Sequence, residues 1–164
     1  MNQMQKMTQS ADQVGEMLKA KDLLLVTAES CTGGLIGAVC TDVEGSSSWF
    51  FGGVISYANE AKMQGLSVKA ETLSVFGAVS KQTVKEMCAG ALQLGGDLSV
   101  AVSGVAGPSG GSPGKPVGCV YIGWQLTGRP VKVTRYHFPG NRQAIREATV
   151  LAALQGIKEM LNNL

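Results

Sequence analysis

The chain contains one histidine, His137, in 164 residues. Chemistry built on imidazole is therefore scarce. A zinc site would have to draw on Cys31, Cys40, Cys88 and Cys119, but these form no CxxC pair and only His137 could join them. A Ser-His-Asp triad would also have to use His137, which lies in the apolar alternation Tyr136-His137-Phe138 near a strand end. An excess of one charge is missing too. The 14 Lys and Arg against 12 Asp and Glu leave a formal +2, too little to argue for nucleic acid or an anionic membrane. No run of ~18 apolar residues occurs, so no membrane-spanning helix is expected. Met1 to Ser10 is polar and lacks the apolar core of a secretory signal. A cytoplasmic protein with buried, reduced thiols is the expectation.

What is present is hydrophobic residues at 45% and glycine at 22 of 164, roughly twice the usual ~7% glycine share. Such a chain is not disordered, and its length suits one domain over residues 1–164. Val14, Met17 and Leu18 fall at helical spacing within Ala11 to Ala20. Leu23 to Ala28 is a short apolar run that reads as a buried strand, followed by a polar Gly-rich turn and a helix over Leu35 to Cys40. Part of Trp49 to Tyr57 reads as a strand, Asn59 as the cap of a short helix through Met63, and Ser67 to Ser80 as a small helical piece. Ser80 caps a helix over Lys81 to Leu94 that ends at Gly95-Gly96. Asp97 to Val102 is the next strand. Gly118 to Leu126 and Val131 to Phe138 form a hairpin, and a helix runs from about Asn141 to Leu161. Early strands alternating with helices and a late hairpin predict a three-layer α/β/α fold. Its five-stranded sheet is mixed and mostly parallel.

Ligands of open α/β sheets collect at the carboxyl ends of strands. Two polar Gly-rich segments fall there, Glu29 to Gly34 and Ser103 to Gly111. Thr32, Gly33 and Gly34 open a helix, whose free N–H groups and dipole suit a phosphate or carboxylate. Nucleotide fingerprints fail. The position five before Gly114-Lys115 is Ser109 rather than glycine, Pro116 fills the Ser/Thr place of Walker A, and no GxGxxG follows a strand. Without a usable histidine, a serine activated by lysine is the remaining nucleophile arrangement, and it needs a lysine pKa lowered by burial or a nearby cation. Gly45 to Phe50 and Ser56 to Lys62 offer serines, Tyr57 and Lys62 on adjoining elements.

At these residues the sequence resembles the CinA C-terminal-domain family, whose standalone members are nicotinamide-nucleotide amidases. The matching stretches are Thr27 to Gly34, Gly45 to Phe50, Tyr57 to Lys62, Gly77 to Ser80, Ser103 to Pro108, Lys115 to Gly118 and Gly140 to Arg142. The resemblance implies hydrolysis of the carboxamide of nicotinamide mononucleotide to nicotinate mononucleotide and ammonia, within NAD recycling, without metal or cofactor. It implies Ser47 as nucleophile with Ser30 as the competing choice, Lys62 as general base, and Tyr57 as proton relay or orienting group. Thr32, Gly33, Gly34, Ser103, Gly104 and Gly107 would hold phosphate and ribose, with Arg142 on the phosphate. Asn59 would cap its helix or bond the carboxamide. A non-catalytic module sensing a pyridine nucleotide or ADP-ribose is the alternative. The expected partner is a small molecule, with no nucleic acid and no membrane. A homodimer through the aromatic stretch Trp49 to Val54 is a further expectation.

Overall fold

A computed structural model describes all 164 residues. The elements in chain order are α1 (Gln3–Ala20), β1 (Leu25–Glu29), α2 (Leu35–Thr41), β2 (Phe50–Ile55), α3 (Asn59–Leu66), α4 (Ala70–Phe76), α5 (Lys81–Leu94), β3 (Leu98–Gly104), β4 (Cys119–Leu126), β5 (Lys132–His137) and α6 (Arg142–Asn162). A short 3-10 turn, Ser46–Ser48, precedes β2. The sheet order is β2-β1-β3-β4-β5. β1 pairs in parallel with β2 and β3, whereas β3–β4 and β4–β5 are antiparallel. Four strands therefore point the same way and β4 alone reverses. Because the early strands are joined through helices, their carboxyl ends meet at one edge of the sheet, where loops are free to form a site.

The two faces are covered by different helices. Met7, Ala11, Val14 and Leu18 of α1, Ile36 and Val39 of α2 and Ile145 to Leu161 of α6 pack on one face. Val84, Met87, Cys88 and Ala91 of α5, with Leu66 of α3, cover Val26, Ala28 and Ala101 on the other. β1 and β3 are buried on both faces, which is why their sequences read as continuous apolar runs.

Two boundaries depart from the pattern in the sequence. α1 begins eight residues before Ala11, because Asn2 and Gln5 form a capping box that starts the helix within a polar segment. α3 is entered through Ala58, so Asn59 is its first residue and not its cap, and it continues to Leu66. Trp49 also differs from the expectation. It is buried beneath α1 (1% exposed), where a methyl at Gly15 would meet its ring at 2.5 Å, so it is not available at the sheet edge.

Candidate active site

The buried end of β1 places the first functional group. Ser30 directly follows the strand, and its amide donates to Val102 O on β3 at 3.1 Å. On the other side, α3 delivers Lys62, only 1% exposed. Lys62 Nζ lies 3.0 Å from Ser30 Oγ, 2.8 Å from Ser56 O and 3.0 Å from Tyr57 O. Burial pulls the Lys62 ammonium below its ordinary pKa. A neutral amine has two N–H donors and one lone pair. Nζ donates to the two carbonyls and to the Ser30 hydroxyl, and once neutral the amine has a lone pair within reach of the Ser30 proton. Lys62 has no carboxylate partner that would hold it charged.

The turn after Ser30 is held from two sides. Glu29, buried at the end of β1, accepts the Thr32 hydroxyl at 2.6 Å and the Ile36 and Gly37 amides at 2.8 and 3.0 Å. Its carboxylate thus fills the N-terminus of α2. From α6, Arg146 donates to Cys31 O through Nε at 3.2 Å and to Thr32 O at 2.8 Å. Gly33 and Gly34 adopt φ of +61° and +101°, left-handed values that favour glycine and let the chain swing from the strand into α2.

A cavity of about 350 Å³ opens over this turn, lined among others by Ser30, Lys62, Tyr57, Ser103, Gly107 and Arg142. Arg142 donates to Gly107 O at 2.7 Å and to Tyr57 Oη at 3.1 Å, so one guanidinium bridges the mouth between β2 and the Gly-rich loop. Both partners are neutral, leaving the cation free for an anion. Ser103 donates to Ala78 O at 2.9 Å and ties that loop to the start of α5. Cys31, Ala106 and Gly107 line the cavity, and their amides make no backbone hydrogen bond. The Cys31 thiol also borders it, but burial pushes its pKa up to about 11, which disfavours the thiolate. No three His, Cys, Asp or Glu side chains are grouped to hold a metal ion. A wider cleft of about 520 Å³ lies between α1 and Val43-Glu44, and the Thr8 hydroxyl in it hydrogen-bonds to neither Asp12 nor Glu44.

The model of the CinA C-terminal domain matches residues 7–161. The chain belongs to the CinA C-terminal domain family. The nicotinamide-nucleotide amidohydrolase PncC of Escherichia coli K12 is 45% identical over 161 residues, spanning 96% of this chain and 97% of that protein. A CinA-like protein of Leptospira borgpetersenii is 49% identical over 137 residues, covering 83% of this chain and 33% of its own. The crystal structure of the competence/damage inducible protein CihA from Agrobacterium tumefaciens superposes with a TM-score of 0.92 at 40% identity, covering 95% of each chain. A CinA superfamily structure from Klebsiella pneumoniae gives 0.93 at 36%, covering 96% and 99%.

Within this CinA domain the sequence-derived residues divide into two groups. Ser30, Lys62, Tyr57, Ser103, Gly104, Gly107 and Arg142 meet at the cavity. Ser47 does not. It sits exposed in the 3-10 turn before β2, beside the start of β1, where Trp49 O accepts the Leu25 amide. β2, six residues and so ~17 Å long at ~3.3 Å per step, runs between that turn and the strand end where Lys62 meets Ser56 O. The Ser47–Lys62 pairing therefore gives way to Ser30–Lys62. The phenol of Tyr57 meets Arg142, and only its carbonyl meets Lys62, so a relay through the phenol is not formed. Thr32, Gly33 and Gly34 lie outside the cavity lining, and the helix end they were expected to offer a phosphate is occupied by Glu29. Asn59 is exposed, caps nothing and does not line the cavity. Sequence reading missed Glu29 and Arg146. Arg146 did carry a signal: it lies four residues after Arg142 and so shares its face of a helix.

Proposed function

We propose that the protein hydrolyses the carboxamide of nicotinamide mononucleotide to nicotinate mononucleotide and ammonia, in NAD recycling, with Ser30 as nucleophile and Lys62 as general base. The observation carrying this reading is the buried Ser30–Lys62 pair, 3.0 Å apart inside a cavity that also holds Arg142. The PncC relatives, similar along nearly the whole chain, support the substrate. A sensing module has no need of a buried amine on a serine hydroxyl, so the amidase is preferred.

An amide resists attack and its amine must leave protonated. Neutral Lys62 takes the Ser30 proton as Oγ bonds to the carboxamide carbon. The Cys31, Ala106 and Gly107 amides are the donors at hand for the oxyanion. Lys62 then passes its proton to the nitrogen, the C–N bond breaks and ammonia departs, leaving an ester on Ser30. A water that gives its proton to Lys62 attacks this ester. The carboxylate product leaves as Ser30 recovers a proton. Arg142 pairs with the phosphate, and Tyr57, at the same mouth, positions that guanidinium.

Residues 1–164 act as one amidase domain in this reading. Four unpaired buried cysteines suit a reducing compartment, and we infer the cytoplasm. No helix is long and apolar enough to cross a membrane. We also infer a homodimer through the outer edge of β2. The test is ammonia release from nicotinamide mononucleotide in EDTA by wild type, Ser30→Ala, Ser47→Ala and Lys62→Ala. Activity that survives Ser30→Ala would sink the mechanism.

A further inference from the structure

Resting on the Ser30 reading above, we propose that Arg146 is a positioning residue for the reaction. It holds the turn that follows the nucleophile in its working geometry without touching substrate. The turn runs from Ser30 to Gly33, closed by the Gly33 amide on Ser30 O at 3.0 Å. Its two central carbonyls, of Cys31 and Thr32, are both gripped by the one Arg146 guanidinium. The Leu35 amide also donates to the Thr32 oxygen at 3.1 Å, whereas the Cys31 oxygen has Arg146 as its one donor.

The grip has a directional consequence. A trans peptide sets its N–H opposite its C=O. Turning the Cys31 carbonyl toward α6 therefore turns the Thr32 amide away from it. With the Ser30 carbonyl taken by Gly33, the Cys31 amide is fixed as well. Cys31 lines the cavity and its amide has no backbone acceptor, so its direction decides whether it can meet an oxyanion. Glu29 clamps the same turn through the Thr32 hydroxyl. Arg146 thus closes a two-sided hold, in which each side chain satisfies backbone or hydroxyl groups of the turn and not the other charge. Both charges are spent on geometry.

Arg146 differs from Arg142 in its placement. Arg142 lines both the cavity and a hollow behind the turn, with Met4, Met7 and Leu35; Arg146 lines only the hollow. Lysine is a poor substitute, since one ammonium cannot reproduce a planar fork on two carbonyls.

The test compares Arg146→Gln, Arg146→Lys and Arg146→Ala with wild type in ammonia release, with thermal unfolding measured in parallel. For Arg146→Gln, kcat should fall about 100-fold, as a misplacement of reacting groups by about 1 Å does, while KM for nicotinamide mononucleotide stays near wild type. The loss in Arg146→Lys should be smaller, and millimolar methylguanidinium should restore part of the kcat of Arg146→Ala. A raised KM with kcat intact would make Arg146 a substrate ligand and overturn the inference. So would unchanged kcat per folded molecule, in Arg146→Lys if the other variants do not fold. Wild type without ammonia release, or an active Ser30→Ala, would remove the underlying amidase or Ser30 reading first. An active wild type with a dead Ser30→Ala and an undiminished Arg146→Gln would remove this inference alone.

Discussion

Lys62 is the residue on which the chemistry turns, and its protonation gives the clearest pH dependence. Burial lowers its pKa from the ordinary 10.5. Only the neutral amine can accept the Ser30 proton, so kcat/KM should rise with pH and level off above the lowered pKa. Below that pKa it should fall about tenfold per pH unit. A pH profile whose rise is centred at or above 10.5 would contradict the assignment. Stability follows the same group with a definite sign. Between the lowered folded pKa and 10.5 the unfolded chain binds more protons, so the Lys62 contribution to stability rises with pH there and is least below that window. Ser30→Ala should abolish ammonia release while the protein stays folded. Ser47→Ala, exposed and remote from the cavity, should keep near wild-type turnover. Both serines lie in family-like stretches of sequence, and spacing alone could not say which one α3 would meet.

At the scale of elements, short segments stand because side chains complete their ends. α2 has only seven residues and starts at Gly34, which offers no side chain as a cap. Glu29, five residues upstream of Gly34, takes over that task with two backbone amides and a hydroxyl. Glu29→Ala leaves those donors without their partner and should cost about 1–3 kcal/mol, read as a lower midpoint in chemical denaturation. It should also lower kcat, since the same turn carries Ser30. Ser80 is the simpler case. Its hydroxyl accepts the Thr83 amide at the start of α5, and Ser80→Ala should cost about 1 kcal/mol. That cap was legible in the sequence because a serine directly precedes an apolar-periodic run and Gly95-Gly96 closes it. The Glu29 cap was not, because its donors follow it by seven and eight residues across a turn whose path no local rule fixes.

The whole molecule presents two unlike sheet edges. β5 carries Lys132, Arg135 and His137 on its strand and follows Pro130, the devices that discourage edge-to-edge pairing. β2 reads Phe-Phe-Gly-Gly-Val-Ile, without a charge or proline, and exposes Phe51 and Ile55. Two copies could pair there without like charges meeting. Phe51→Lys should therefore lower the sedimentation coefficient of a homodimer to that of the monomer. A wild type that sediments as a monomer at every concentration would end the proposal.

The sequence by itself determined the element order, the buried central strands, the late hairpin and the family, because apolar periodicity, caps and turn residues act over a few positions. It also brought Lys62, Arg142 and the Ser103 loop into view, since these stand in motifs at element ends. Only the tertiary structure decided between Ser30 and Ser47. Parallel pairing of β1 and β2 sends Ser30 to the edge of the sheet that α3 enters and leaves Ser47 at the other. Only the packing of α6 against α1, α2, β3 and β4 brought Arg146 onto a turn 114 residues before it in the chain. A hydrogen bond depends on where two atoms lie, and at that sequence distance their meeting is set by how the layers stack.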